Sequence, residues 1–338
     1  MIHIILIPLV AAVFLAVNMG GSGIAAAFSS SYGANLIRKD LIPGLFGAFV
    51  LLGAVFSGME VTLTIGNDII NETYLNIQVT TILLLSIGLS MLLANILKVP
   101  QSTSQSTVFA ILGIGAYLND INTKKLFLEI IPTWFYLPVF SFLITFIVGK
   151  FIYKPIRDQG FIDFGTIKDH PVIKYAVILG SCYVAYAIGA NNVANASGPI
   201  LSLFANIMNI DNDGNSILLI VMATLLIAPW FGIGGSIFSS RVLESTGKEI
   251  ISFGPLGALV ISVITGSLLI YASVNGGIPA ALAQLNIGSI IGLGVYKVGF
   301  KNMFTKKTVK RIFVVWIIAP IIAFIIAYLL MYVNEFLF

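Results

Sequence analysis

Gly189-Ala190-Asn191-Asn192-Val193-Ala194-Asn195-Ala196-Ser197-Gly198 stands inside an apolar stretch that runs from about 172 to 209. It puts three asparagines and a serine into hydrocarbon-rich sequence. An unpaired amide at that depth costs several kcal/mol, so these groups must face protein, water or a ligand. The stretch is also far longer than the roughly 20 residues one straight transmembrane helix needs. A second long stretch, 4–37, is interrupted near its middle by Gly20-Gly21-Ser22-Gly23. Polar and small residues at mid-depth of a long apolar run predict a broken helix, or a span followed by a half-helix.

Around these two stretches the chain has the composition of a membrane protein. Hydrophobic residues make up 58% of the 338 and charged residues 9%, with a mean hydropathy of +1.02. A soluble domain carries about 25% charged residues. The remaining apolar stretches fall at about 42–59, 77–97, 100–118 and 127–153, then 217–239, 252–275, 278–299 and 312–333. This leaves room for about ten spans in a lipid bilayer and no sizeable soluble domain. The runs are long and lack strand-like alternation, which favours helices over a barrel. The run from Ile4 to Val17 lacks a basic flank and is read as the first transmembrane helix, not a signal peptide. The net charge of +4 sits in short loops, so it reflects the positive-inside bias and not nucleic-acid binding. Cys182, His3 and His170 have no His or Cys neighbours at ligand spacing, so no metal site and no cofactor are expected.

The order of elements repeats. Gly20 aligns with Gly189, Gly66 with Gly247, Pro100 with Pro279, Gln105 with Gln284, and Gly113 with Gly292, at offsets between 169 and 181. Corresponding loops carry contrasting charge: Arg38 and Lys39 follow the first long stretch, whereas Asp211 and Asp213 follow its partner. Lys297 to Arg311 is rich in lysine and free of acids, whereas Asn119 to Leu126 holds Asp120 beside two lysines. Such contrast is expected of halves that insert upside down relative to each other. The predicted fold is an all-α polytopic membrane protein of two inverted-topology repeats with broken helices and re-entrant hairpins. The first repeat covers 1–153, a cytoplasmic linker 154–171, and the second repeat 172–338. Segments 38–40, 150–171 and 297–311 are placed in the cytoplasm, both termini outside, with five crossings per half. Interrupted segments in corresponding positions of two halves point to a transporter and mark its binding site.

Pro100-Gln101-Ser102-Thr103-Ser104-Gln105-Ser106-Thr107 opens the stretch to Leu118. Proline starts helices well, and hydroxyl residues at a helix start aim donors at one spot, where the helix end is partially positive. Eight polar-leaning residues exceed what one cap requires, so a re-entrant or broken segment is expected. Pro279-Ala280-Ala281-Leu282-Ala283-Gln284 keeps the proline and glutamine but not the hydroxyls. Four predicted helix starts, after Gly23, Asn192, Pro100 and Pro279, would form a cage of N–H donors suited to an anion. The expected anion-binding set is Ser22, Gly23, Ser102, Thr103, Ser104, Gln105, Asn191, Asn192, Ala281 and Leu282. Helix–helix glue is the alternative use of buried Asn and Ser. Glu60 and Glu129 lie near segment ends. No Ser/Lys dyad, paired intramembrane Asp or metal triad points to an enzyme.

At these motifs the chain resembles the inorganic phosphate transporter (PiT) family. The family's G-A-N-D-V-A-N is similar to Gly189-Ala190-Asn191-Asn192-Val193-Ala194-Asn195. Its P-V-S-T-T-H resembles Pro100-Gln101-Ser102-Thr103-Ser104-Gln105, and its R-V-x-E-T-x-G resembles Arg241-Val242-Leu243-Glu244-Ser245-Thr246-Gly247. The N-terminal Asn18-Met19-Gly20-Gly21-Ser22-Gly23-Ile24-Ala25 is similar to the sulfate permease branch. The resemblance implies inverted repeats, a substrate site between the halves, a homodimer, the inner cell membrane, and symport with sodium or protons. Two departures matter. The family Asp is Asn192 in one copy and Gly23 in the other, and the family His is Gln105 and Gln284. Phosphate at neutral pH carries a proton that needs an acceptor; sulfate carries none. Loss of the carboxylates therefore favours sulfate over phosphate, and a proton over sodium as coupling ion, since hard cations favour carboxylate oxygen. Glu60 and Glu129 are then the candidate titrating groups. A channel for anions would use similar dipole cages.

Overall fold

The computed structural model describes residues 2–33, 36–97, 101–153, 171–210, 217–246, 254–305 and 307–337. These form helices and connections, with no strand among the described residues. The first half holds α1 (Ile2–Gly33), α2 (Ile42–Ser57), the short α3 (Met59–Leu63), α4 (Ile77–Leu97), α5 (Thr103–Leu118) and α6 (Ile131–Val148). A π-helical turn, Thr64–Asp68, follows α3. The second half holds α7 (Pro171–Asn192), α8 (Ala194–Met208), α9 (Ile217–Thr246), α10 (Pro255–Gly276), α11 (Leu282–Val298), the short α12 (Phe300–Phe304) and α13 (Lys307–Leu337).

Among the described residues, eight helical stretches are long and apolar enough to cross a membrane. The expected stretches 100–118 and 278–299 are not among them. They become α5 and α11, of 16 and 17 residues. At 1.5 Å per residue each is about 25 Å long, short of a hydrocarbon core of about 30 Å. Both start at buried positions, as a re-entrant helix does. The linker expected at 154–171 and the Gly66–Gly247 correspondence fall largely outside the described residues.

The two halves interlock. α1 packs on α9, and its counterpart α7 packs on α2; α5 packs on α13, and its counterpart α11 packs on α6. α1 against α4 repeats as α7 against α10. The exchange holds at the level of residues. A Cβ on Gly20 would stand 2.2 Å from the Phe231 carbonyl oxygen, and one on Gly189 would stand 2.0 Å from that of Val50. Gly20 and Gly189 are 169 positions apart, and Val50 and Phe231 are 181 apart. The same two offsets relate Gly234 against the Val17 carbonyl (2.1 Å) to Gly53 against that of Tyr186 (1.9 Å). At these crossings backbone meets backbone, which only glycine allows, and such close approach is how membrane helices associate without a hydrophobic drive between them. One buried cluster, from Ala11 to Met331, draws on both halves.

One expectation is corrected here. α1 runs through Gly20-Gly21-Ser22-Gly23 without a break. These glycines serve packing instead: Gly20 against Phe231, Gly21 against Phe238 and Gly23 against Phe46. No helix start follows Gly23. In the second half the interruption is real but confined to Val193, which keeps helical dihedrals (φ −60°, ψ −35°) between α7 and α8.

Candidate functional site

The interruption at Val193 has a local cause. The Ala196 and Ser197 N–H groups both donate to the Val193 carbonyl at 3.0 Å, and the Asn195 Nδ2 reaches back to the Asn192 carbonyl at 3.0 Å. One side-chain amide here takes a carbonyl that the backbone ladder uses elsewhere. The turn so formed carries Asn191 and Asn192, exposed by 0% and 5%.

Asn191 is the hub. Its Nδ2 donates to the Ser273 Oγ on α10 and to the Ile278 carbonyl, both at 2.9 Å. Its Oδ1 accepts from the Ser104 Oγ on α5 at 3.3 Å. One side chain thereby joins α7 and α10 to the starts of the two re-entrant helices, α5 directly and α11 through the segment that leads into it. α5 is capped by Ser102, whose Oγ accepts from the Gln105 N–H at 3.3 Å. α11 starts after Ala281, whose side chain makes no cap. The first N–H groups of any α-helix lack partners within it. Two such ends therefore add donors and partial positive charge on either side of the hub.

Gln105 and Gln284 occupy matching places, the third residue of α5 and of α11. Together with Asn192 they are the unspent amides of the cluster. The Asn192 Oδ1, Gln105 Oε1 and Gln284 Oε1 are buried without partners. Their amide nitrogens make no protein hydrogen bond either, and each residue keeps 5–6% exposure. Thr103, the first residue of α5, is buried beside them in sequence, and Leu282 holds the corresponding place in α11. The side chains that these bonds assemble are all neutral.

The structure thus brings Ser102, Thr103, Ser104 and Gln105 into one neighbourhood with Asn191, next to which Asn192 lies, and sets Ala281 and Leu282 just beyond the Ile278 carbonyl. Ser22 and Gly23 are used otherwise. The Ser22 Oγ donates to the Met19 carbonyl at 3.0 Å within its own helix, and Gly23 faces Phe46 and Ile188. Sequence reasoning missed Ser273 and the Ile278 carbonyl, and it noted Gln284 without placing it in the site. Gln284 had a signal, its alignment with Gln105. One serine among several in an apolar stretch, and a main-chain carbonyl, have none. Of the two carboxylates considered, Glu129 is exposed and pairs with Lys125 at 2.9 Å, and Glu60 is exposed.

Residues 19–327 match the phosphate transporter family. The chain belongs to that family. This transporter is 32% identical over 308 residues to the sulfate permease CysP of Bacillus subtilis, covering 91% of the chain and 81% of that protein. It is 24% identical over 318 residues to a protein of Methanocaldococcus jannaschii provisionally named a phosphate permease, covering 94% of the chain and 93% of that protein. A solved structure titled "The sodium-dependent phosphate transporter" superposes with a TM-score of 0.86 at 20% identity, covering 99% of this chain and 100% of that one. That likeness confirms the fold. The protein is a multi-pass membrane transporter of inorganic anions, not an enzyme.

Proposed function

We propose that the transporter takes up sulfate by symport, with the anion held between the N-termini of α5 and α11 and the Asn191–Asn192 turn. The carrying observation is the chemistry of that cluster: hydroxyls, unspent amides and two helix starts, assembled from neutral side chains. A donor-rich site without a carboxylate suits an oxyanion that has no proton left. The 32% identity to a protein named as a sulfate permease supports the same choice. The halves are inserted in opposite orientation, which the exchanged packing and the loop charges both favour, and the assembly is a homodimer as the family resemblance implies.

The coupling ion in this reading is the proton, because the cluster offers a hard cation no carboxylate oxygen. Glu129 is committed to Lys125, which makes Glu60 the first carboxylate to test. Uptake of labelled sulfate and phosphate into proteoliposomes, under imposed proton or sodium gradients, tests both choices. Sulfate accumulation driven by protons supports the reading. Sodium-dependent uptake at a constant pH gradient contradicts the coupling, and downhill flux without accumulation makes the protein a channel. Phosphate is the second reading, favoured by the unpartnered oxygens of Asn192, Gln105 and Gln284, any of which could accept the proton of monohydrogen phosphate.

A further inference from the structure

Trp134 lies on α6 with 7% of its surface exposed. Its Nε1–H donates to the Pro279 carbonyl at 2.9 Å. Its ring stacks on Phe109 of α5, with centroids 6.2 Å apart and planes at 26°. One side chain therefore touches α5 and the segment that leads into α11. The neighbouring carbonyl in that segment, Ile278, accepts from the Asn191 amide. Two consecutive carbonyls just ahead of α11 are thus held by donors from two different helices.

This matters because α11 has no cap of its own. Ala281 stands at its start with φ −88° and ψ 86° and makes no side-chain bond to the helix. An uncapped start points its free N–H groups wherever the preceding residues direct them. α5 is fixed differently, by the Ser102 cap and by Gln101, whose Nε2 donates to the Ser90 Oγ at 2.8 Å and to the Ser106 Oγ. A Cβ on Gly113 would meet the Phe324 carbonyl at 2.5 Å and one on Gly292 that of Phe142 at 2.3 Å; at the same offset of 182, Trp316 on α13 corresponds to Trp134. The Trp316 Nε1 is buried without a partner. The indole anchor is therefore seen at the second re-entrant helix, the one that lacks hydroxyls and a cap.

We propose that Trp134 is a positioning residue: its N–H bond to Pro279 aims the α11 N-terminus at the anion and so sets affinity without touching the anion. The inference rests on the reading of the Asn191 cluster as the anion site. The test compares wild type, Trp134→Phe and Asn192→Ala in proteoliposomes, with labelled sulfate and labelled phosphate each measured. Loss of one buried hydrogen bond should raise KM for the transported anion about five- to ten-fold, with Vmax within about two-fold. In detergent, the melting temperature of Trp134→Phe without anion should stay close to wild type, while the stabilisation added by the transported anion shrinks. A merely structural tryptophan would lower the melting temperature and Vmax and leave KM alone. If Trp134→Phe does not fold, benzothienylalanine at position 134 keeps the ring shape and removes only the N–H. An unchanged KM overturns the anchor; if Asn192→Ala raises KM in the same experiment, the site reading survives it. If neither variant changes KM, both fall. A raised KM in Trp134→Phe alone also overturns the proposal, since the indole would then act on some other place.

Discussion

Asn191 and Asn192 are adjacent and do opposite work. Asn191 spends its whole amide on Ser104, Ser273 and the Ile278 carbonyl, so it is the structural member of the pair. Asn191→Ala should leave those buried partners unsatisfied, at about 1–3 kcal/mol for each such group. A fall of several degrees in melting temperature, with loss of transport, is the expected result in a detergent thermal scan. The Asn192 side chain spends nothing on the protein, and on the proposed reading it is the member left for the ligand. Asn192→Ala should weaken anion uptake without changing which anion is preferred. Asn192→Asp should lose most sulfate uptake and gain phosphate uptake or sodium dependence, read from competition assays with the two anions. Much of this candidate site was legible, because three Asn and a Ser in hydrocarbon must find partners in protein or ligand. Ser273 and the Ile278 carbonyl were not. Their role comes from where α10 ends, and a main-chain oxygen looks the same at every position.

Glycine decides the helix crossings. Position 189 has a neighbouring carbonyl oxygen 2.0 Å from where a Cβ would sit, whereas nothing lies within 4 Å of that point at Gly44. Gly189→Leu should prevent α7 from seating on α2, and little monodisperse protein should elute on size exclusion. Gly44→Ala should elute as wild type does and melt within a degree or two of it, since exposed substitutions usually change stability by about 0.5 kcal/mol or less. Recovery of well-folded Gly189→Leu would mean that the crossing is looser than these distances show. Pairing of Gly20 with Gly189 was readable from sequence, and in the structure both glycines meet a backbone carbonyl of a crossing helix. The meaning of that pairing in the first half was not readable. A glycine cluster in an apolar run can mark a broken helix or a close crossing, and the local pattern is the same for both. Only the partner helix distinguishes them, and for Gly20 that partner is α9, about 200 positions away in the chain.

Across the whole molecule, each half's re-entrant helix is gripped by the other half's last long helix. On the proposed reading, a site held between such halves could be rocked without being taken apart, which is what alternating access demands. The Lys125–Glu129 pair, in which the Lys125 side chain is 18% exposed and that of Glu129 45%, lies outside this arrangement. Glu129→Gln should cost less than about 1 kcal/mol, and it should leave proton-driven uptake intact, whereas Glu60→Gln should flatten the dependence of uptake on pH. Both are measured as initial rates across a pH series. On the reading proposed above, a cluster assembled from neutral side chains, with no carboxylate in it, selects an oxyanion with no proton to place. Sulfate and phosphate are nearly the same tetrahedron, so the choice turns on that proton, and sites built on hydrogen bonds discriminate such differences by about 10⁴. The most direct measurement is uptake by the wild-type protein in sodium-free proteoliposomes with an inward proton gradient, each labelled anion competing against the other unlabelled. Sulfate should accumulate, with excess phosphate at neutral pH barely inhibiting its uptake, on the reading proposed above. Accumulation of phosphate, with sulfate ignored, would contradict it.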